Sequence, residues 1–163
     1  MKKLAIISLL FLLFQHCKKD TTVPGDDVVF YRLKSYQLVP NKCQVDTLTA
    51  ILADTALIGN DEIISYSKKT YQYKITASAI NKLKALADGT PFAVTVDNKV
   101  IYYGINKPSY SSSTCFNSIT LDYVIPDNNI KINIGYPGPG TGIDDQRNNA
   151  LLLATLRKQG KLR

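Results

Sequence analysis

Apolar and polar residues alternate along this chain in patterns that predict its elements almost end to end. Leu4 to Phe14 is an apolar run of 11 residues behind Lys2 and Lys3. A helix spanning a bilayer needs about 20, so the run is too short to cross well and has the form of a secretory h-region. Val28 to Val39 is β-branched and aromatic with partial alternation, which predicts a strand ended by Pro40-Asn41. Residues 44–60 are ambiguous: Leu48, Ile51, Leu52 and Leu57 have helical spacing in part, and Gly59-Asn60 cuts the segment short. IISY and TYQYKI flank Ser67-Lys68-Lys69 as a hairpin, with Tyr71, Tyr73 and Ile75 on one face. Ala79, Ile80, Leu83, Leu86 and Ala87 form one apolar stripe of a helix. Thr76 or Ser78 can cap that helix, and Gly89 suits its C′ position ahead of Pro91. PFAVTV and KVIYYG surround Asp97-Asn98 as a hairpin with a two-residue turn. SITLDYVI and NIKINIGY surround Pro126-Asp127-Asn128-Asn129, and a glycine- and proline-rich loop follows. A final helix is expected from Asp144 to Gln159, with Asp144 and Asp145 at its positive end and Arg157 and Lys158 at its negative end.

These elements predict an α+β fold: a mainly antiparallel sheet of five to seven strands, one packed helix, and a C-terminal helix closing the domain. The division is 1–16 as a signal peptide, 17–27 as a polar tether and 28–163 as one domain. The run from the Ala77 helix through GTPFAVTVDNKVIYYG resembles a helix-then-hairpin segment in the periplasmic head domain of the SecD protein-export subunit. That likeness implies α+β topology and no activity, since it includes no catalytic group.

Gln15-His16-Cys17 follows the leader run. No small residues stand at an A-x-A site there, so an ordinary secretory cleavage fits poorly. The segment resembles the signal of bacterial lipoproteins, with His16 where that family usually has Gly, Ala or Ser. The resemblance implies acylation of Cys17 and attachment to a membrane, most naturally the outer membrane, outside the cytoplasm. An uncleaved anchor or another secretion route is the alternative, and a cytosolic protein the least favoured reading. Each buried CH₂ of an acyl chain contributes about 0.8 kcal/mol, so several chains hold a protein firmly.

Export changes how the three cysteines are read. With Cys17 acylated, Cys43 and Cys115 remain as a candidate disulfide in an oxidising compartment, the alternative being two separate buried thiols. The net charge of +7 falls to +5 when Lys2 and Lys3 leave with the leader, which either serves solubility alone or favours anionic neighbours such as lipid headgroups, acidic glycans or acidic protein faces. No nucleic-acid motif is present.

The single histidine is His16, inside the leader, so the mature chain has no imidazole. Serine–histidine and cysteine–histidine nucleophiles and histidine-ligated zinc are thereby excluded. Glu62 is the only glutamate, so an acid–base pair would have to come from aspartates. Ser65-Tyr66-Ser67-Lys68 has S-x-x-K spacing, but in strand or turn sequence and without S-D-N or K-T-G partners, so it reads as a hairpin turn. The loop from Gly135 to Gly142 lacks a phosphate-binding pattern, and Asp144-Asp145 lack EF-hand spacing. No cofactor and no metal is implied. All ten tyrosines lie in the mature chain, and Tyr102, Tyr103, Tyr110 and Tyr136, with Lys107 and the serine run, form the candidate contact surface, the alternative being tyrosines that close the sheet edges. The expectation is a non-enzymatic envelope lipoprotein binding a protein or glycan partner, with a glycan or envelope-polymer module as the sharper form and an aspartate-dependent hydrolase as the least favoured one.

Overall fold

In the computed structural model the described residues are 27–124 and 126–163; the expected signal peptide, Cys17 and the expected tether up to residue 26 lie outside them. Eight strands form one sheet: β1 (Val28–Ser35), β2 (Ile51–Ile58), β3 (Ile63–Ser67), β4 (Gln72–Ile75), β5 (Pro91–Val96), β6 (Lys99–Asn106), β7 (Cys115–Asp122) and β8 (Asn129–Tyr136). Two helices, α1 (Ala77–Lys84) and α2 (Ala150–Lys158), complete the α+β fold. Strand order is β2-β1-β5-β6-β7-β8-β4-β3, and every neighbouring pair is antiparallel except β6–β7.

The sheet has eight strands where five to seven were expected. The additional strand comes from the ambiguous segment. Its partial helical spacing loses to the pairing of β2 with β1, registered by Phe30↔Ile58 and Leu33↔Leu52, with Leu57 and Ile58 buried. An eight-residue segment carries too little intrinsic preference to resist such pairing.

Both helices pack on one face. Ala79, Ile80 and Leu83 of α1 and Leu152 and Leu156 of α2 join Val28, Phe30, Tyr73, Val94, Leu121, Ile130 and Ile132 in the main core. Phe30 meets Tyr73 edge-on at 5.2 Å and Phe92 face-on at 6.1 Å. Thr76 caps α1 by accepting from the Ala79 amide. The expected C′ role of Gly89 is not realised. The helix ends at Lys84 with Ala85 as its C-cap, and Gly89, at φ +80°, serves the turn into β5 instead. The final helix is also shorter than expected, with Asn149 as its cap. Asp145 is drawn into a two-pronged ion pair with Arg147, whose guanidinium lies 3.6 Å from the centre of the Tyr71 ring, so residues 144–148 anchor the loop and do not continue the helix.

Asp97 and Asn98 both take positive φ, as a primed two-residue turn between β5 and β6 requires, and Asp127 and Asn128 repeat this before β8. The β3 edge is covered by the C-terminal residues: the Tyr66 amide donates to the Lys161 carbonyl and the Arg163 amide to the Tyr66 carbonyl. Among the described residues no helix is long and apolar enough to cross a membrane.

Residues 36–50 fold over the other face of the sheet. Val45, Ile105 and Cys115 form a second, smaller core there, with Leu33, Cys43, Ala50, Tyr103 and Tyr136 packed against it. A disulfide joins Cys43 to Cys115 with Cα atoms 5.5 Å apart, so the bridge expected from the cysteine count is present.

Candidate functional site

The parallel β6–β7 pair creates the site. Parallel neighbours need a crossover, which is usually a helix of a dozen residues or more. Here residues 107–114 make it as a bare loop. Pairing runs only from Gly104↔Ile119 to Asn106↔Leu121. Gly104 permits this approach: a Cβ at that position would lie 2.4 Å from Phe92 Cζ and 3.0 Å from the Ile119 carbonyl oxygen. N-terminal to that contact the strands part, and β7 is irregular against β8 between Cys115 and Ile119.

A solvent-open cavity of about 280 Å³ fills the gap. Val100 to Tyr103 line one side and Asn117 to Ile119 the other. Gln44, Val45 and Thr47 form its roof, and Ile143, Asp144 and Gln146 close its end. The roof is fixed by the disulfide at Cys43, by the packing of Val45 and by the Leu38↔Val45 bridge. Gln146 is oriented by donating to Asp144 at 2.7 Å while accepting from Asn149 at 2.7 Å. Asp144 and Asp145 thus have partners within the chain, and among the described residues no group of three or more His, Cys, Asp or Glu side chains could hold a metal ion.

The five residues expected to form one contact surface are distributed over several places. Tyr103, half-buried, lines the cleft, and burial raises its hydroxyl pKa. Tyr102 borders the cleft but is only 5% exposed and belongs to the main core. Its hydroxyl neighbours that of Tyr73; burial pushes both well above the ordinary tyrosine value, and neither makes a conventional hydrogen bond. Tyr136 holds the crossover, its hydroxyl shared between the carbonyls of Ser109 and Ser111. Tyr110 is 67% exposed and stands edge-on to Tyr123 in a separate groove with Lys84, Val124 and Pro126.

Lys107 is not a surface cation. Its side chain is 5% exposed and its ammonium is 3.2 Å from Asp88, while also donating to Ser113. Ser111 and Ser113 donate to the same carboxylate at 2.7 and 3.1 Å. Partial burial alone would raise the Asp88 pKa, but the bonds from Ser111 and Lys107 and the lysine charge outweigh it and hold the group below its ordinary 3.8. A carboxylate depressed in the folded state stabilises above its unfolded pKa and loses that contribution as pH falls through the folded value. Amide exchange at Ser111 and Ser113 is therefore expected to accelerate as pH drops below about 4 relative to α1 amides, once intrinsic exchange is divided out. Equal protection of loop and helix down to pH 2, by exchange mass spectrometry, would show that the cluster does not hold the crossover.

Gln44, Asn117 and Gln146 were not singled out from the sequence, and Asp144 was read there only as a helix-start residue without calcium-loop spacing. One signal could have found the first two: Gln44 follows Cys43 and Asn117 lies two residues past Cys115, so the expected bridge brings them together. No family model, curated protein or solved structure matches this chain.

Proposed function

We propose that this chain is an exported lipoprotein, held to the outer membrane through acylated Cys17, whose domain binds a ligand of the cell envelope in the β6–β7 cleft without acting on it chemically. The leader run, the cysteine after it and the polar tether support the address. The Cys43–Cys115 bridge supports it independently, because such bonds persist in oxidising compartments. The observation that carries the binding reading is the cleft itself, a concave site between parted strands with a covalently fixed roof. Its lining has one carboxylate and no histidine, cysteine or lysine, which supplies recognition groups in place of a nucleophile and base.

The test is a photo-crosslinking amino acid placed at Thr47 in the full chain, in the producing cell. Adducts are expected from Thr47 and not from Lys69, which sits in the exposed β3–β4 turn. Adducts from Lys69 alone would remove the cleft as the site. Intact-mass analysis of membrane-extracted protein should show acyl chains on Cys17, and a bare thiol there would remove the anchor.

A further inference from the structure

We infer that the cleft takes a single ring of a neutral saccharide, an inference that rests on the cleft being the ligand site. The chain carries a strong net positive charge, yet no lysine or arginine lines this cavity. An anionic sugar or a phosphate would lose water, meet Asp144 and find no compensating cation. The excess positive charge is carried elsewhere and does not select the occupant.

The uncharged groups of the lining do. The side chains of Gln44, Thr47, Asn117, Ser118 and Tyr103 make no hydrogen bond among the described residues. Amides and hydroxyls both donate and accept, which matches a polyol whose hydroxyls do the same. A lysine or arginine could only donate, and would select carboxylate or phosphate. Tyr103 adds an apolar ring with a polar tip, the surface on which the C–H face of a sugar stacks. A purely apolar ligand would leave this set of polar groups covered and unpaired, which is unfavourable.

Size narrows the class further. The volume of about 280 Å³ lies just below the roughly 300–1,000 Å³ usual for small-molecule sites. One ring enters, and the rest of a chain or polymer stays in solvent beyond the open mouth.

The experiment uses the full chain with its bridge intact, in a non-glycosidic detergent. It is titrated by NMR with methyl glycosides of neutral hexoses and N-acetylhexosamines, then with uronic acids, then with indole as an apolar probe. Neutral glycosides should shift the amides of Gln44, Tyr103 and Asn117. Affinity should fall roughly 3- to 10-fold in Asn117→Ala and in Gln44→Ala and stay unchanged in Tyr110→Ala. Should Asn117→Ala not fold, Asn117→Asp, which removes the donors and keeps the shape, replaces it. Tighter binding of uronic acids, or neutral binding indifferent to both amide substitutions, overturns the inference. Indole alone reaching the cleft overturns the sugar and leaves the cleft as a ligand site. If no probe shifts the cleft and Thr47 gives no adduct in cells, the site reading falls as well.

Discussion

Removing the Cys43–Cys115 bridge, as Cys43→Ser with Cys115→Ala, is expected to lower the unfolding midpoint by roughly 10–15 °C. The two residues are 72 apart in sequence. Closing a loop of that length restricts the unfolded chain by about 4 kcal/mol on the chain-entropy account. For a domain of this size each kcal/mol shifts the midpoint by about 3–4 °C. The expected damage extends to the site. Residues 36–50 otherwise rest on the small core around Val45 and on scattered backbone bonds, so the roof over the cleft should loosen before the main sheet does. Thermal melts with and without reductant measure the first effect, and exchange at Gln44 and Val45 measures the second. A midpoint that moves by less than about 2 °C would mean that the roof is held by packing alone.

Phe30→Ala should cost about 3–5 kcal/mol, enough to remove a large part of the stability of an ordinary domain. Phe30 has no exposed surface and contacts two aromatic rings, those of Tyr73 and Phe92. It sits on β1, which is hydrogen-bonded to both β2 and β5, so the surrounding backbone cannot collapse into the space left behind. Urea unfolding should show a lower midpoint with an unchanged slope. Leu48→Ala removes a similar apolar side chain that is 94% exposed, and should change stability by less than about 0.5 kcal/mol. A Phe30→Ala loss below 1 kcal/mol would mean that this core repacks freely.

These contrasts show where the sequence could be read. The β5–β6 hairpin was legible because Asp97-Asn98 can hold the positive φ that a tight turn demands, and the flanking apolar runs pair directly across it, although the one-residue register shift between Val94 and Thr95 was not visible in the pattern. The α1 stripe was legible because Thr76 marks its start and its apolar spacing has one period. The end of α1 was misplaced because a glycine near a helix terminus signals positive φ without saying which turn uses it. The segment that became β2 was not legible because its deciding partner, β1, is formed by residues more than fifteen positions away. The candidate site was legible in part. Tyr102 and Tyr103 both border the cleft, but Tyr102 belongs to the main core and Tyr103 packs against the small one, since adjacent strand residues face opposite ways and the sequence does not mark which face is covered. Lys107 was expected on the contact surface with the tyrosines and the serine run; Asp88, nineteen residues earlier, buries it instead by pairing with it.

Composition and local pattern were enough to show that His16 is the one imidazole of the chain, and to place most strands and both helices, because these depend on residue identity or on contacts within a few positions. The cleft required the folded chain. It exists because β6 and β7 run parallel and touch over a short stretch at Gly104, and because a bond across 72 residues carries Gln44 and Thr47 over the gap. Both are non-local facts: each depends on which distant segments become neighbours, and burial of the two sheet faces settles that only when the whole chain packs.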